Sequence, residues 1–353
     1  MAVQQLAATV PVFSISVGGA TLPPDARGAV TRVEVEQSVD RAGTFAIELD
    51  NWDLASQQVK WSDASLFEPG GAVTVQLGYL DSIATVMVGE ITGLEVAFPE
   101  RARALLTVRG YDRLHRFRRG RRTRTYLQVK DSDVARQLAA DLGLSADVED
   151  SAEVHSYLLQ HNQTDVDFLL ARAAAIGYEL SVDDRTLRFR RLQHDRGKVL
   201  TLDFLHGLMT FTASLSTADQ VGQVTVRGWD PKAKQALVGQ AQASDVRGTM
   251  AGQQVGPAVA DRLFGSRTLA VVDQPVATQS EADLLARGIL NEIALGYVVA
   301  EGTAVGDPAL RAGAVVELGG LGQRFSGLYY VTRATHVWDG QFVTHLSLRR
   351  NAT

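Results

Sequence analysis

Leu106-Thr107-Val108-Arg109-Gly110-Tyr111-Asp112 closes a β-rich stretch, and the pattern returns as Val224-Thr225-Val226-Arg227-Gly228-Trp229-Asp230. Explained most simply, the repeat marks two related barrels separated by an inserted segment. Repetition is a statement about fold and carries no activity by itself. Upstream of the first copy the chain alternates with period two. Phe13, Ile15 and Val17 alternate with Ser14 and Ser16, and Gly18-Gly19 offers a turn. Val33 and Val35 alternate with Arg32, Glu34 and Glu36. Phe45, Ile47 and Leu49 alternate with Thr44, Glu48 and Asp50, and Val73, Val75 and Leu77 with Thr74 and Gln76. One apolar face at period two is what a half-buried antiparallel strand requires, and several at short spacing predict a sandwich or barrel over residues 1–112.

Between the two copies the period changes. Val134, Leu138 and Leu142 share a helical stripe that Gly143 ends. Thr164 and Asp167 have capping-box spacing, Leu169, Ala173 and Ile176 make the stripe that follows, and Gly177 closes it. Leu187 and Phe189 then alternate with Arg188 and Arg190, a return to strand. Residues 113–192 are therefore expected to form an α+β insertion with two helices. Residues 193–353 are expected to hold the second barrel with one helix, read from Ser280 and Asp283 and the stripe Leu285, Ile289, Ile293, closed by Gly296. They also include a long loop over Gln235–Asp261, where periodicity fades. The chain finishes in a hairpin, Val331–Trp338 and Gln341–Leu348, turned at Asp339-Gly340.

Composition bounds the function. The chain has 353 residues, 45% hydrophobic and 21% charged, with a net charge of −5; its pI is about 5.8 and its mean hydropathy −0.02. That is an ordinary globular profile, large enough for two or three compact units. A general nucleic-acid binder is more often basic, so such a role would need a local patch. The absence of cysteine excludes disulfides, thiolate nucleophiles and cysteine zinc sites, and points to folding in a reducing, aqueous compartment. Thirty-two glycines against 9 prolines suit many tight turns. Met1 to Val10 has no positive n-region or sustained apolar core, so no signal peptide is expected. No stretch reaches the roughly 20 apolar residues of a membrane span.

With the repeat and the insertion in place, the chain resembles the phage late control gene D family. Val108–Arg116, Arg119–Thr125 and Ser132–Ala139 carry the likeness, joined by Gln160–Asp165, Phe168-Leu169 and Gly177–Leu180. It is strong over roughly residues 100–192 and more diffuse over the barrels. That family contains the baseplate hubs of contractile tails and the hub portion of the valine-glycine repeat spike proteins. The resemblance implies a mainly β, ring-forming, non-enzymatic structural protein of the virion. Such a protein is a homotrimer in which two barrels per chain give six near-equivalent docking surfaces. It would be a symmetry adaptor between a sixfold inner tube protein and a threefold spike, and would bind baseplate wedge proteins, with cargo or DNA in the lumen. Because the chain stops at Thr353, soon after the last hairpin, the spike is expected to be a separate protein. Synthesis is expected in the bacterial cytoplasm, and assembly in the baseplate of a phage tail or tail-like injection particle.

The sharpest local feature is a run of arginines: Arg113, Arg116, Arg118, Arg119, Arg121, Arg122 and Arg124. It is a candidate interaction patch for phosphates or an acidic partner; the plainer alternative pairs these arginines with carboxylates of this chain or a neighbour. His155 with His161, and His336 with His345, share a face if their strands are regular, but no third metal ligand is placed near either pair. Gly319-Gly320-Leu321-Gly322 and Gly197-Lys198 lack the rest of a phosphate-loop motif and read as turns. Asp165 with Asp167 suits a helix's first turn, and Asp183-Asp184 a hairpin, better than a glycosidase pair. No catalytic residue, metal site or cofactor is therefore assigned. Two other functions stay open: a peptidoglycan-degrading tail protein, and a nucleic-acid-binding protein using the Arg113–Arg124 run.

Overall fold

The computed structural model describes residues 10–100 and 102–353; apart from Val10, the Met1–Val10 segment read against a signal peptide lies outside them. The first part of the chain runs through β1 (Pro11–Val17), β2 (Ala20–Thr21), a short helix α1 (Pro24–Ala29), β3 (Val30–Ser38) and β4 (Thr44–Asp50). A two-residue ribbon, β5 (Trp52–Asp53) and β6 (Gln58–Val59), precedes β7 (Ala72–Tyr79), β8 (Ser82–Ala97) and β9 (Leu105–Asp112). Six of these strands pair in the order β1-β7-β8-β9-β4-β3. The alternation read from sequence is the alternation observed. Phe13, Ile15, Val33, Val35, Ile47, Leu49, Val75, Leu106 and Val108 point into one buried cluster, and their polar neighbours face out.

A 3₁₀ turn (Arg113–Arg118) leads into β10 (Arg122–Val129), α2 (Asp131–Asp141), β11 (Ser145–Val148), β12 (His155–Gln163), α3 (Asp165–Ala175), β13 (Tyr178–Asp183) and β14 (Thr186–Arg191). The Thr164 hydroxyl accepts from the Asp167 N–H at 3.1 Å and starts α3. Gly143 and Gly177, at φ +68° and +67°, follow the two helices in the left-handed conformation that favours glycine. Val134, Leu138, Leu169 and Ala173 bury their stripes against Leu180, Leu187 and Phe189 of a small mixed sheet, β11-β14-β13. β10 and β12 form a separate ribbon.

The remainder comprises β15 (Leu200–Phe204), β16 (Gly207–Leu215), β17 (Gln223–Asp230), β18 (Gln235–Gln242), α4 (Gly256–Phe264) and β19 (Thr268–Val271). These are followed by α5 (Gln279–Leu295), β20 (Val298–Val305), β21 (Val315–Gly319), α6 (Gly322–Phe325), β22 (Gly327–Trp338) and β23 (Phe342–Arg350). Strands β22-β21-β15-β16-β20-β23 form a second six-stranded barrel, closed where β23 pairs back onto β22. Closure leaves no exposed edge. The long β22 also pairs with β3, from Arg333↔Ser38 to Trp338↔Val33, so one strand belongs to the second barrel and borders the first. The chain is mainly β, with two barrels and an α+β insertion, as expected.

Four details differ from the sequence-based expectation. The second copy of the repeat, β17, is not a barrel strand. It is the centre of a three-stranded sheet, β18-β17-β19, packed under α5. The segment expected to be a long loop holds β18 and the start of α4. In β18 the buried positions Leu237, Gly239 and Ala241 include two small residues that give little hydrophobic signal. α5 is capped two residues earlier than expected, by Thr278, whose hydroxyl accepts from the Glu281 N–H at 3.0 Å. Finally, Trp338 pairs with Phe342, so the last turn has three residues, not two. A one-residue shift exchanges the two faces of a strand. His336, opposite Thr344, is consequently buried, whereas His345 faces out.

Candidate functional site

The arginine run is divided by the fold into a paired part and a free part. Arg113 and Arg116 turn back from the 3₁₀ segment onto Glu90 of β8. The Arg116 Nε donates to a Glu90 carboxylate oxygen at 2.9 Å and its Nη2 bonds the other, while the Arg113 Nε donates at 3.3 Å. Arg113, almost fully buried, also pairs with Asp184 in the β13–β14 turn. Burial would raise the pKa of Glu90, but Arg116, His115 and Arg113 hold it below its ordinary range. Further along, Arg122 lies 3.4 Å from Asp165 and Arg124 3.1 Å from Asp141. The Arg121 Nη1 donates to the Asn162 carbonyl at 3.2 Å. Arg118 and Arg119 are exposed and have no ion-pair partner among the described residues. Arg119, with His115, Arg116 and Arg122, borders a cleft of about 740 Å³ between the first barrel and the insertion, floored by Ile91 and Leu142. Four of the seven arginines are thus held by carboxylates of this chain.

The other candidates disperse. His155 is buried and His161 exposed, because β12 buries residues 155, 158 and 160 and so breaks its own period of two. Asp165 accepts from the buried Gln160 side chain at 2.8 Å, and Asp167 sits in the first turn of α3. Gly320, in the bend after β21, and Gly322, at the start of α6, take φ +73° and +77°.

Sequence reasoning missed the most heavily charged buried cluster. The His155 Nε2 lies 3.0 Å from Asp131 at the start of α2, and its Nδ1 bonds Glu281 in the first turn of α5. Arg172 of α3 donates to both Asp131 oxygens, at 2.5 and 3.0 Å. Burial pulls the His155 pKa down, but the hydrogen bonds to Asp131 and Glu281 overcome it and raise it to about 9. An imidazolium therefore sits between two carboxylates and clamps the insertion to α5. A second clamp joins insertion and barrel: the buried Tyr330 hydroxyl of β22 donates to Glu179 at 2.6 Å, and Arg190 donates to the same carboxylate at 2.9 Å. Glu281 lies 126 positions from His155, so no local pattern announces their meeting.

Known structures that share this β-rich fold include phage tail proteins and a component of a secretion system. The 43 kDa tail protein of prophage MuSo2 from Shewanella oneidensis superposes on 96% of this chain and 98% of its own, with a TM-score of 0.72 and 15% identity. The tail protein from Neisseria meningitidis MC58 matches over 97% of both chains, with a TM-score of 0.68 and 14% identity. The c3393 protein of E. coli, a component of the type VI secretion system with structural similarity to the T4 tail proteins gp27 and gp5, is matched over 77% of its length and 96% of this one, with a TM-score of 0.62 and 12% identity. By sequence, no curated protein matches. Residues 7–339 match the profile of the Alg8 N-terminal domain, and the chain belongs to that family.

Proposed function

We propose that this chain is a structural baseplate hub subunit of a contractile phage tail or tail-like injection system, working as a homotrimer and catalysing no reaction. The observation that carries this reading is the pair of six-stranded barrels in one chain, joined through β22. Three copies would present six barrels, the number a sixfold inner tube needs, while the assembly keeps the threefold symmetry a spike needs. The motifs over Val108–Ala139 and Gln160–Leu180 that resemble the late control gene D family support it, as does the shared fold of phage tail proteins. In this reading 1–112 and 193–353 carry the barrels and 113–192 is the brace between them. Inner tube, spike and wedge proteins are the partners, and cargo or DNA occupies the lumen. Arg118 and Arg119 are the members of the arginine run left available to such partners.

Native mass decides it. The purified chain should have three times its 38.1 kDa by light scattering at micromolar concentration, held by interfaces burying more than about 2,000 Å² in all. A monomer under those conditions would refute the proposal.

A further inference from the structure

The cleft between the first barrel and the insertion holds positive charge that this chain leaves unmatched. We infer that it receives a short segment of a partner protein presenting a carboxylate beside an apolar side chain. This rests on the proposed function for the kind of partner, another tail protein, and on the cleft itself for the chemistry. The floor is apolar, from Ile91 and Leu142, and the volume of about 740 Å³ suits a few side chains. Both walls are tied down. The Gly70 N–H donates to the Ile91 carbonyl at 2.8 Å and the Ile91 N–H to the Gly71 carbonyl at 2.9 Å, which fixes β8 to the loop before β7. On the other side, Asp112 accepts from the Leu114 N–H at 2.9 Å and the Arg119 N–H donates to the Arg116 carbonyl at 3.3 Å, which fixes the turn that carries the arginines.

Charge selects the occupant. Glu90, the one carboxylate lining the cleft, is already shared by Arg113, Arg116 and His115. Arg122 reaches Asp165 at 3.4 Å and stays 40% exposed. Arg119 has no carboxylate partner among the described residues and, unlike Arg118, borders the cleft. An incoming carboxylate therefore meets guanidinium donors on a backbone that is already ordered, and charge-assisted hydrogen bonds of that kind are the strong ones. A neutral or basic segment seated there would cut Arg119 off from water and leave it unpaired. Nucleic acid fits poorly. Its affinity comes from many phosphate contacts at once, whereas the cleft adds a single unmatched guanidinium in a chain of net charge −5. No aromatic ring lines the cleft for a base to stack on.

Fluorescence anisotropy tests the contact, with an end-blocked, fluorescein-labelled peptide Ser-Asp-Leu-Asp-Leu-Ser as the probe. The parent should bind it, and Arg119→Ala should weaken binding by about tenfold or more, the loss of one charged hydrogen-bond donor. Arg118→Ala should bind as the parent does, and the peptide with Asn in place of Asp should not bind. Thr92→Glu, which sets a carboxylate at an exposed position of β8 bordering the cleft, should abolish binding and serves should the Arg119 variant fail to fold. No binding of the peptide, equal binding by the Arg118 and Arg119 variants, or an Arg119-dependent preference for inorganic phosphate or a single-stranded oligonucleotide would overturn the inference. Native mass is read separately: a monomeric parent that still takes the peptide through Arg119 would refute the trimer and support the cleft.

Discussion

Raising the pH should loosen the joint between the insertion and α5. His155 is raised from its ordinary value to about 9 by Asp131 and Glu281. A histidine raised in this way contributes stability fully below its unfolded pKa near 6.5, and loses it as pH climbs through the folded pKa. The window is therefore about pH 6.5 to 9 and above. At roughly 1.4 kcal/mol per pKa unit, the shift is worth about 3 kcal/mol. Solvent screening takes little from this, because the His155 and Asp131 side chains are only 3% and 1% exposed. The carboxylates act in the opposite sense: burial opposes their ionisation, but His155 and Arg172 keep both below their ordinary pKa. Their share is present at neutral pH and is lost only in acid.

Urea unfolding across pH 6 to 10, beside Glu281→Gln, isolates the pair. The amide introduced by that substitution could still accept from the Ala277 N–H, as the Glu281 carboxylate does at 2.6 Å, but would no longer hold a proton on His155. The parent should lose about 3 kcal/mol across the window and the variant clearly less. Hydrogen exchange in the first turn of α5, corrected for the intrinsic base-catalysed rate, should lose protection with rising pH more steeply in the parent than in the variant. Equal pH dependence in the two proteins, or an NMR-titrated His155 pKa at or below 6.5 in the parent, would refute the account.

Two further outcomes follow from the same geometry. Arg113→Ala leaves Glu90 with Arg116 and His115 and the half-exposed Asp184 without its cation, so unfolding should become easier by about 1.5–3 kcal/mol, whereas Arg119→Ala, which breaks no ion pair, should change the urea midpoint little; equal effects would contradict the division of the run. Gly239→Ala would place a methyl carbon 2.1 Å from the Ala282 carbonyl oxygen of α5, so β18 and the helix must part, at a cost of roughly 1–3 kcal/mol; an unchanged midpoint would show that the helix stands further off.

What the sequence makes legible is what local periodicity writes. The strands β1, β3, β4 and β7 and the helices α2 and α3 are all readable, because each buries one face at a regular spacing. β18 is not, since Gly239 and Ala241 bury without being hydrophobic in bulk; the space they leave lets α5 approach. The final hairpin reads one residue out of register because Asp339-Gly340 signals a turn but not its length. The arginine run is legible as a cluster, but its partners Glu90, Asp165 and Asp141 are not, since pairing across the fold depends on topology. The His155 clamp is hidden for the same reason.

The repeated heptapeptide shows how a sequence echo can be real and its first explanation wrong. β9 and β17 lie in unlike sheets, yet the shared residues do the same local work in both. Val108 and Val226 are fully buried. Gly110 and Gly228 leave room for a neighbour: a Cβ would lie 2.2 Å from Phe45 at the first and 2.4 Å from Val276 at the second. Asp112 and Asp230 each accept from the N–H two residues on, at 2.9 and 2.8 Å, and turn the chain out of its strand. A buried valine, a glycine under a close neighbour and an aspartate at the exit suffice to end a covered strand, and both sites require that. The pair of barrels therefore rests on the pairing of their twelve strands and on β22 between them, not on the heptapeptide. Had the echo marked equivalent barrel strands, Gln223–Asp230 would pair within the second barrel; it pairs with β18 and β19 instead.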